Sequence, residues 1–463
     1  SDLVDRARLP EMMRARITER ARTLVQGVRA HRAAKNGLDA FLRQYDLSTQ
    51  EGVILMCLAE ALLRIPDDET ADRLIADKIA AGDWASHLAD GQSLFVNAST
   101  WGLMLTGRIV RPPPGEDVDP RGFVARIAGR IGEPMVRAAF RHAMRIMGHQ
   151  FVMGRTIEEA IERSQSDEHR LYRHSFDMLG EAALTMRDAD RYLGAYRSAI
   201  EALSRVVKEG TPLHAAPSIS VKLSALFPRY EFSQRDRVLA ELSPRLLALA
   251  VQARAANIPL TVDAEEAERL ELSLEVIQQV ASAPELRGWD GFGLAVQAYQ
   301  KRAIDVIHWV AKLAGRNVGR INVRLVKGAY WDSEVKRAQE RGLRGYPVFT
   351  RKANTDVSYI ACARELIAAG DAIYPQFATH NAHTVATVLE LAGEAGREFE
   401  FQRLHGMGEE LYEQLVGDNG VPCRVYAPVG SHEDLLPYLV RRLLENGANT
   451  SFVNRIVDDN MPI

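Results

Sequence analysis

The stretch Ile321-Asn-Val-Arg-Leu-Val326 predicts a buried β-strand, because it is short, mostly apolar and bounded by Gly319 and Gly328. Helix-like segments flank it at 302–314 and 357–369. A strand that alternates with helices in this way is the repeating unit of a parallel sheet. The fold therefore depends on how many such units the chain contains.

Seven further strands are predicted around this one. Helix-like segments at 235–257, 265–281 and 384–395 separate several of them. Eight β/α alternations in about 280 residues favour a distorted TIM-like (β/α)8 barrel of the α/β class, with an open parallel sheet as the alternative. The other strands are predicted at Ser175–Gly180, Ile219–Leu223, Leu260–Asp263, Gly293–Gln297, Gln376–Thr379, Glu400–Leu404 and Cys423–Ala427.

The region before the strands predicts a different organisation. Residues 1–90 are expected to form a small all-helical domain, with helices at Glu11–Arg32, Thr49–Ile65 and Thr70–Ala81. The proline-rich and acidic run Arg111–Pro120 makes residues 91–122 a linker or wrapping segment. Residues 123–463 are assigned to the barrel, beginning with helical sequence from Phe123 to Arg163.

Composition and net charge limit the partners and the cellular location that we expect for this protein. The 463 residues carry a net charge of −3, which gives no electrostatic argument for nucleic acid or anionic lipid as a partner. Three cysteines without a C-x-x-C pair fit a reducing cytosol. No run is long and apolar enough to span a bilayer, and no signal peptide is recognised. We therefore expect a cytoplasmic globular protein, and the start at Ser1 suggests a functional piece of a longer chain.

The predicted strands all end in polar or ionisable residues. In (β/α)8 barrels the active site lies at the C-terminal ends of the strands. Ion pairs that only bridge barrel loops are the competing explanation for any one of these residues. The residues at or just after the eight ends are Glu181, Lys222, Asp263, Gln297, Arg324 with Lys327, His380 with Asn381, His405 and Tyr426.

Several common motifs are missing. The pair His380 and His383 has no third ligand at suitable spacing, so no metal site is expected. The segment Gly406-Met-Gly408 lacks the third glycine of a dinucleotide fingerprint, and no phosphate-binding P-loop is found. The turn Val326-Lys-Gly-Ala-Tyr-Trp331 could let backbone approach a flat or phosphorylated ligand, although an ordinary turn also explains it.

A predicted helix near the C-terminus carries a group of polar residues on one face. Tyr438, Arg441, Arg442 and Glu445 share this face at helical spacing, and Asn446-Gly447 ends the helix. Two adjacent guanidinium groups suit bidentate binding of a small carboxylate. Taken alone, a solvated surface helix is the simpler interpretation. The charged strand ends favour carboxylate binding, because Lys222 adds a third cation to the same predicted site.

The motifs together resemble the proline dehydrogenase domain of proline utilization A, a family of bacterial bifunctional flavoenzymes. The resemblance covers nearly the whole chain, and its last motif is the most specific. The motifs are Ser220-Val-Lys-Leu-Ser224, Thr261-Val-Asp-Ala-Glu265, Arg324-Leu-Val-Lys-Gly-Ala-Tyr-Trp331, Thr379-His-Asn381 and Tyr438-x-x-Arg-Arg-x-x-Glu-x-Gly-x-Asn-x-Ser-Phe452.

The resemblance implies oxidation of L-proline to Δ1-pyrroline-5-carboxylate by bound FAD, with electrons passed to a quinone. By motif, Arg441, Arg442 and Lys222 would bind the carboxylate of proline or of an analogue. Tyr330, Tyr426, Tyr438 and Leu325 would enclose the ring; Asp263, Glu181 and Glu445 would hold the cations; Arg324 would lie near the reactive flavin nitrogen. The remaining FAD contacts implied are Ala264, Gln297, Val326, Lys327, Gly328, Ala329, Trp331, Thr350, Lys352, Thr379, His380, Asn381, Ser451 and Phe452, with Asp263 and Glu445 also near the cofactor.

The full-length family pattern contains an aldehyde dehydrogenase half and a ribbon-helix-helix segment that this sequence lacks. Nucleic-acid binding is therefore not expected of this chain, and peripheral contact with the inner membrane is expected only of a full-length protein. A flavin barrel that reduces a folate-like substrate is the second hypothesis. A non-catalytic interaction module is the third, suggested by the helical N-terminal region.

Overall fold

Eight parallel strands close into a barrel in the described part of the chain, residues 2–34, 152–417 and 420–430 of the computed structural model. Strand β1 pairs with both β2 and β8, which closes the sheet. The predicted (β/α)8 barrel is therefore confirmed, and the alternative of an open sheet is wrong. The strands are β1 (Arg173–Met178), β2 (Ser218–Val221), β3 (Leu260–Val262), β4 (Phe292–Gln297), β5 (Ile321–Val326), β6 (Ile373–Ala378), β7 (Glu400–Leu404) and β8 (Cys423–Val429).

Helices surround the barrel and precede it. None of those that the structure describes is long and apolar enough to cross a membrane. In chain order they are α1 (Asp2–Ala7), α2 (Glu11–Ala34), α3 (Ile157–Ser164), α4 (Met186–Ser204), α5 (Leu223–Leu226), α6 (Arg235–Ala255), α7 (Leu270–Ala281), α8 (Ala303–Leu313), α9 (Trp331–Glu340), α10 (Lys352–Ala368), α11 (Ala382–Ala395) and α12 (Glu409–Val416).

Side-chain alternation along the strands separates an apolar layer from a polar barrel interior. Val323 in β5 and Phe401 in β7 are fully buried and face the helices. Their neighbours Arg324 and Gln402 point inward and contact each other across the barrel. Branched apolar side chains fill the interior of most (β/α)8 barrels. In this barrel much of the interior is filled by hydrogen-bonded polar groups.

Several elements begin or end at other residues than predicted; β6, for example, begins at Ile373 instead of Gln376. Strand β1 begins and ends two residues earlier than expected, so its C-terminal end lies beside Asp177 and not beside Glu181. Helix α7 begins at Leu270, because residues 263–266 form no helix and a short 3-10 turn follows. Of the stretch 123–163 that was expected to be helical, residues 123–151 lie outside the described residues. Residues 152–156 are not helical, and α3 begins at Ile157, where the Thr156 side chain accepts a hydrogen bond from the Glu159 amide.

The first helices pack against the barrel. Helix α1, and α2 as far as Arg29, belong to the same compact unit as the strands. Met13 and Ile17 form a buried cluster with Ala386 of α11, and Arg16 donates a 2.7 Å hydrogen bond to Glu390. The expectation of one helical domain over 1–90 therefore differs from the structure in its first 29 residues. The expected helices at 49–65 and 70–81 and the 91–122 linker lie outside the described residues.

Candidate active site

Lys222 lies at the centre of a polar cluster at the C-terminal end of the barrel. It directly follows β2, is 6% exposed, and donates hydrogen bonds to three acceptors. Its Nζ lies 2.7 Å from Asp177 Oδ1, 3.2 Å from the Tyr426 hydroxyl and 3.3 Å from Asp263 Oδ2. An ammonium group has three N–H donors. Each donor of Lys222 therefore has a partner within the chain.

Asp263 connects three other residues that the sequence predicted at separate strand ends. Its Oδ2 accepts the Tyr426 hydroxyl at 2.6 Å as well as Lys222, and its Oδ1 accepts Arg324 Nη1 at 2.5 Å. The prediction that Lys222, Asp263, Arg324 and Tyr426 share one site agrees with this geometry. Their individual roles stay predictions.

Burial and pairing set the charge of this cluster. Burial lowers the pKa of Lys222, but Asp177, Tyr426 and Asp263 raise it more, so that its pKa lies well above the ordinary value. Burial raises the pKa of Asp263, but Lys222 and Arg324 outweigh burial and lower it. For Asp177, burial prevails over Lys222 and raises the pKa, and its Oδ2 has no hydrogen-bond partner. Lys222 is therefore a fixed cation beside one well-stabilised carboxylate and one poorly solvated carboxyl group.

Arg324 is held in the barrel interior from several sides. It is 3% exposed, and its Nε donates to Gln402 Oε1 at 2.6 Å. Its Nη2 donates to Ser220 at 2.9 Å and Ser175 at 3.2 Å. The Tyr426 ring centroid lies 5.1 Å from the guanidinium carbon. These contacts fix the orientation of the guanidinium group.

The turn after β5 is joined to strand β4. The Ala329 amide donates to Gln297 Oε1 at 3.1 Å, and Gln297 Nε2 donates to the Glu265 carbonyl at 2.8 Å. Gly328 has a φ of +144°, and a Cβ there would lie 2.5 Å from the Tyr299 ring. The glycine is therefore required by the packing of the turn on Tyr299.

The same turn is also joined to the start of α10. Lys327 forms an ion pair with Asp356, and the Trp331 indole donates to the Phe349 carbonyl at 2.8 Å. Trp331 is 37% exposed, and Thr350 and Lys352 are exposed at the beginning of α10. No side chain caps this helix end. An uncapped helix N-terminus flanked by lysines and an exposed indole can accept a phosphate-bearing aromatic ligand.

The residues after β6 mainly support the local structure. His380 Nε2 accepts the Leu404 amide at 3.2 Å, and Asn381 Oδ1 caps α11 by accepting the Thr384 amide at 3.0 Å. The Thr379 carbonyl accepts the Tyr412 hydroxyl at 2.8 Å. His380 and Asn381 remain partly exposed, so that a ligand can still reach them. Among the described residues, no group of three or more His, Cys, Asp or Glu side chains could hold a metal ion.

Some predicted site residues lie away from the Lys222 cluster. Leu325 is fully buried, and strand alternation turns it away from Arg324 toward the helices. His405 is buried beside His169, with ring centroids 5.6 Å apart, and its predicted place at the barrel mouth is wrong. Glu181 is partly exposed, three residues after β1. Tyr330 is partly buried at the start of α9; Ala264 and Val326 are also partly buried. Tyr438, Arg441, Arg442, Glu445, Ser451 and Phe452 lie outside the described residues.

Four residues of this cluster were not predicted from the sequence: Asp177, Ser175, Ser220 and Gln402. Asp177 is fully buried and accepts the shortest hydrogen bond that Lys222 donates. It was missed because the first strand was predicted two residues too late, which put Glu181 at its end. Polar residues alternate at Arg173, Ser175 and Asp177, and this period of two was the available signal for an inward-facing polar strand.

Three family models match the chain in succession. The model described as proline dehydrogenase matches residues 160–455. The model described as the proline utilization A proline dehydrogenase N-terminal domain matches residues 1–29. A model described as the DNA-binding domain of proline dehydrogenase matches residues 37–151, which lie outside the described residues. The expectation that this chain binds no nucleic acid stays a prediction.

Sequence relatives and solved structures agree with the match to the proline dehydrogenase model. The Escherichia coli K12 bifunctional protein PutA is 52% identical over the whole chain, which spans 36% of that protein's length. Proline dehydrogenase 1 of Bacillus subtilis strain 168 is 27% identical over 69% of the chain and 93% of its own length. The crystal structure of a Bradyrhizobium japonicum proline utilization A mutant superposes with a TM-score of 0.75 and 52% identity, covering 100% of this chain and 46% of that one. The resemblance stated from the motifs is confirmed.

Proposed function

The chain belongs to the proline dehydrogenase family, and we propose that it oxidises L-proline to Δ1-pyrroline-5-carboxylate with FAD as cofactor and a quinone as electron acceptor. FAD, when bound, accepts the hydride that leaves the carbon next to the proline nitrogen. The observation that best supports this proposal is the buried cluster of Lys222, Asp263, Arg324 and Tyr426 at the C-terminal end of the barrel.

Lys222 serves as a fixed positive charge in this proposal. Its raised pKa keeps the ammonium group protonated, so it is not a general base. A carboxylate that reaches Lys222 has to displace one of its two longer contacts, to Tyr426 at 3.2 Å or Asp263 at 3.3 Å. The carboxylate would otherwise be gripped by Arg441 and Arg442, with Lys222 as a third cation.

The described residues fit an FAD molecule. Lys327, Lys352 and the uncapped start of α10 would hold its phosphates, and the exposed indole of Trp331 would contact an aromatic ring. The backbone around Gly328 and Ala329 lies beside these groups and presents no bulky side chain. Arg324 would supply a fixed positive charge near the reactive part of the flavin, because Asp263, Gln402 and the two serines hold it in place.

The deciding experiment is the visible spectrum of the purified protein before and after anaerobic addition of L-proline. We expect a flavin absorbance band that bleaches with proline and returns with a soluble quinone. A flavin band that proline leaves unchanged but NADH bleaches would favour the alternative of a folate-type reductase. A protein that takes up no flavin, even with added FAD, would contradict the proposal and favour a non-catalytic module.

The cellular setting follows from the same proposal. We place the protein in the bacterial cytoplasm, with peripheral contact to the inner membrane in a full-length protein, because a lipid-soluble quinone has to reach the flavin. The physiological acceptor can be tested by comparing quinones of different chain length as oxidants of the proline-reduced protein.

A further inference from the structure

A line of hydrogen bonds continues below Arg324 into the barrel. Arg324 Nε donates to Gln402 Oε1 at 2.6 Å, and Gln402 Nε2 donates to Glu400 Oε1 at 3.0 Å. The three side chains are 3%, 2% and 0% exposed, so water does not compete for these bonds. Gln402 is therefore the link between the predicted active site and a carboxylate nearer the opposite end of the barrel.

Glu400 is held as a carboxylate by the groups around it. Its Oε1 also accepts Arg424 Nε at 2.7 Å and Gln376 Nε2 at 2.8 Å. Its Oε2 accepts Arg173 Nη1 at 3.0 Å and Arg424 Nη2 at 3.1 Å. Burial raises the pKa of Glu400, but Arg424 and then Arg173 outweigh burial, so that its pKa lies below the ordinary value. An ionised carboxylate can only accept hydrogen bonds.

The ionised state of Glu400 fixes the orientation of the Gln402 amide. The NH2 group has to face Glu400, because the opposite orientation would set two oxygen acceptors against each other. The amide oxygen is then directed at Arg324, whose guanidinium group can only donate. Asp263, Ser175 and Ser220 hold the two terminal nitrogens of Arg324, whereas Gln402 is the partner of Nε in the described contacts.

We propose that Glu400 is a positioning residue that acts through Gln402 on Arg324. If the carboxylate at residue 400 is replaced by an amide, its NH2 group can face the NH2 group of Gln402. These two donors repel each other, so the Gln402 amide rotates or shifts away from Arg324. Arg324 then loses its Nε contact, and the guanidinium plane tilts about its remaining bonds to Asp263. The inference that this tilt changes catalysis rests on the proposed function, whereas the tilt itself does not.

The test compares Glu400→Gln with the exchanged double variant Glu400→Gln/Gln402→Glu. The exchange keeps the net charge, gives Arg324 an acceptor again and lets the amide at residue 400 donate to the carboxylate at residue 402. Glu398→Gln is the matched control, because Glu398 precedes the same strand but pairs with Arg320 on the surface. Gln402→Met replaces Glu400→Gln if that variant does not fold, since it removes the link while Glu400 keeps Arg424.

We expect crystal structures to show a displaced Arg324 in Glu400→Gln or Gln402→Met, and an undisplaced one in the exchanged variant. Flavin reduction by proline should slow about tenfold or more in the displaced variants, with a KM change below about threefold. The flavin midpoint potential should become more negative, because a positive charge that stabilises the reduced flavin has moved.

An Arg324 that stays in place in a folded Glu400→Gln variant would overturn the inference, whatever the kinetics. If Glu400→Gln does not fold, an Arg324 that stays in place in Gln402→Met would overturn it. So would an exchanged variant as impaired as Gln402→Met. If the wild-type flavin does not respond to proline, the proposed function fails, and the Arg324 position in the crystals still decides the inference.

Discussion

At the scale of single residues, Asp177 and Lys222 form a buried ion pair at the end of the barrel. Asp177 is fully buried, Lys222 is 6% exposed, and one Asp177 oxygen already lacks a hydrogen-bond partner. Removing one member of a buried pair leaves an uncompensated charge, which costs about 3–5 kcal/mol. We predict a loss of this size in the free energy of unfolding for Lys222→Met, measured by urea denaturation.

The double variant Lys222→Met/Asp177→Asn should recover much of that loss, because no unpaired carboxylate remains at residue 177. Lys327→Met is the control, since Lys327 and Asp356 form a solvent-accessible pair; such pairs contribute about 0–1 kcal/mol. Equal losses in Lys222→Met and Lys327→Met would contradict the importance assigned to the Asp177 pair.

Arg441 and Arg442 lie outside the described residues, and their role stays a prediction that mutation can test. Replacing either with Met should cost about 2–5 kcal/mol of binding to a carboxylate inhibitor through the lost charge pair. That corresponds to about 30-fold to several thousand-fold in dissociation constant, measurable by titrating the flavin spectrum. A neutral amide analogue is the control, because its affinity should change much less. Unchanged proline KM and inhibitor affinity in both variants would refute the assignment.

At the scale of elements, the strand positions were more predictable than the directions of their side chains. β5 and β7 begin and end at the predicted residues. β5 is a mostly apolar run, as burial between the barrel interior and the helices requires. A two-residue error at β1 was enough to miss Asp177. His405 follows β7 directly, but alternation turns it outward, and the position of a residue at a strand end does not reveal this orientation.

The polar barrel interior could not be derived from sequence pattern alone. Ser220, Arg324 and Gln402 come from three different strands, and only the closed register brings them within hydrogen-bond distance. The predicted cations and carboxylates did meet, because strand ends converge in any closed parallel barrel. Contacts across the barrel depend on its radius and shear, which one sequence without relatives does not specify.

Helix α2 offers a prediction about how the N-terminal segment is attached. Ile17 is fully buried against Ala386 of α11, whereas Met12 on the same helix is 78% exposed. We predict that Ile17→Ala lowers the stability of α2 docking by about 2–5 kcal/mol, since it leaves a cavity. Hydrogen exchange should accelerate in α2 while the barrel strands keep their protection.

Met12→Ala is the matched control and should change exchange by no more than the equivalent of about 0.5 kcal/mol. Arg16→Ala should also have a smaller effect than Ile17→Ala, because the Arg16 side chain remains 46% exposed in its ion pairs. An Arg16→Ala effect larger than that of Ile17→Ala would mean that charge, and not apolar burial, attaches the helix.

At the scale of the whole molecule, buried histidines make stability depend on pH. His169, His174 and His405 are at most 5% exposed and lie together, with His169 5.6 Å from His405 and 6.3 Å from His174 between ring centroids. Burial, together with smaller contributions from nearby His169, Arg403 and Arg424, lowers the pKa of His174 to about 3. Burial likewise lowers the pKa of His169 and His405, with Arg163 and Arg403 adding to the effect and Glu168 opposing it at His169.

The folded protein keeps His174 neutral, whereas the unfolded chain protonates it near the ordinary pKa of about 6.5. The unfolded state therefore binds more protons between these two values, and stability is complete above pH 6.5 and lost as pH falls toward about 3. At pH 5 this one residue should cost about 2 kcal/mol relative to pH 7.5. Carboxyl groups with raised pKa values, such as Glu265 and Glu409, act in the opposite sense.

Several histidines and carboxyl groups titrate in the same pH range. The prediction therefore compares the unfolding free energy of the wild type with that of a variant that lacks His174. His174→Phe removes the titrating group and keeps an aromatic ring beside Phe176, whose ring lies 6.0 Å away. Between pH 7.5 and pH 5 the unfolding free energy of the wild type should fall by about 2 kcal/mol more than that of this variant. Phe176→Leu, which alters the packing beside His174 and removes no titratable group, is the control, and its unfolding free energy should fall with pH as that of the wild type does. If the difference in unfolding free energy between wild type and His174→Phe does not change with pH, His174 has the same pKa in the folded protein as in the unfolded chain, and the prediction is wrong.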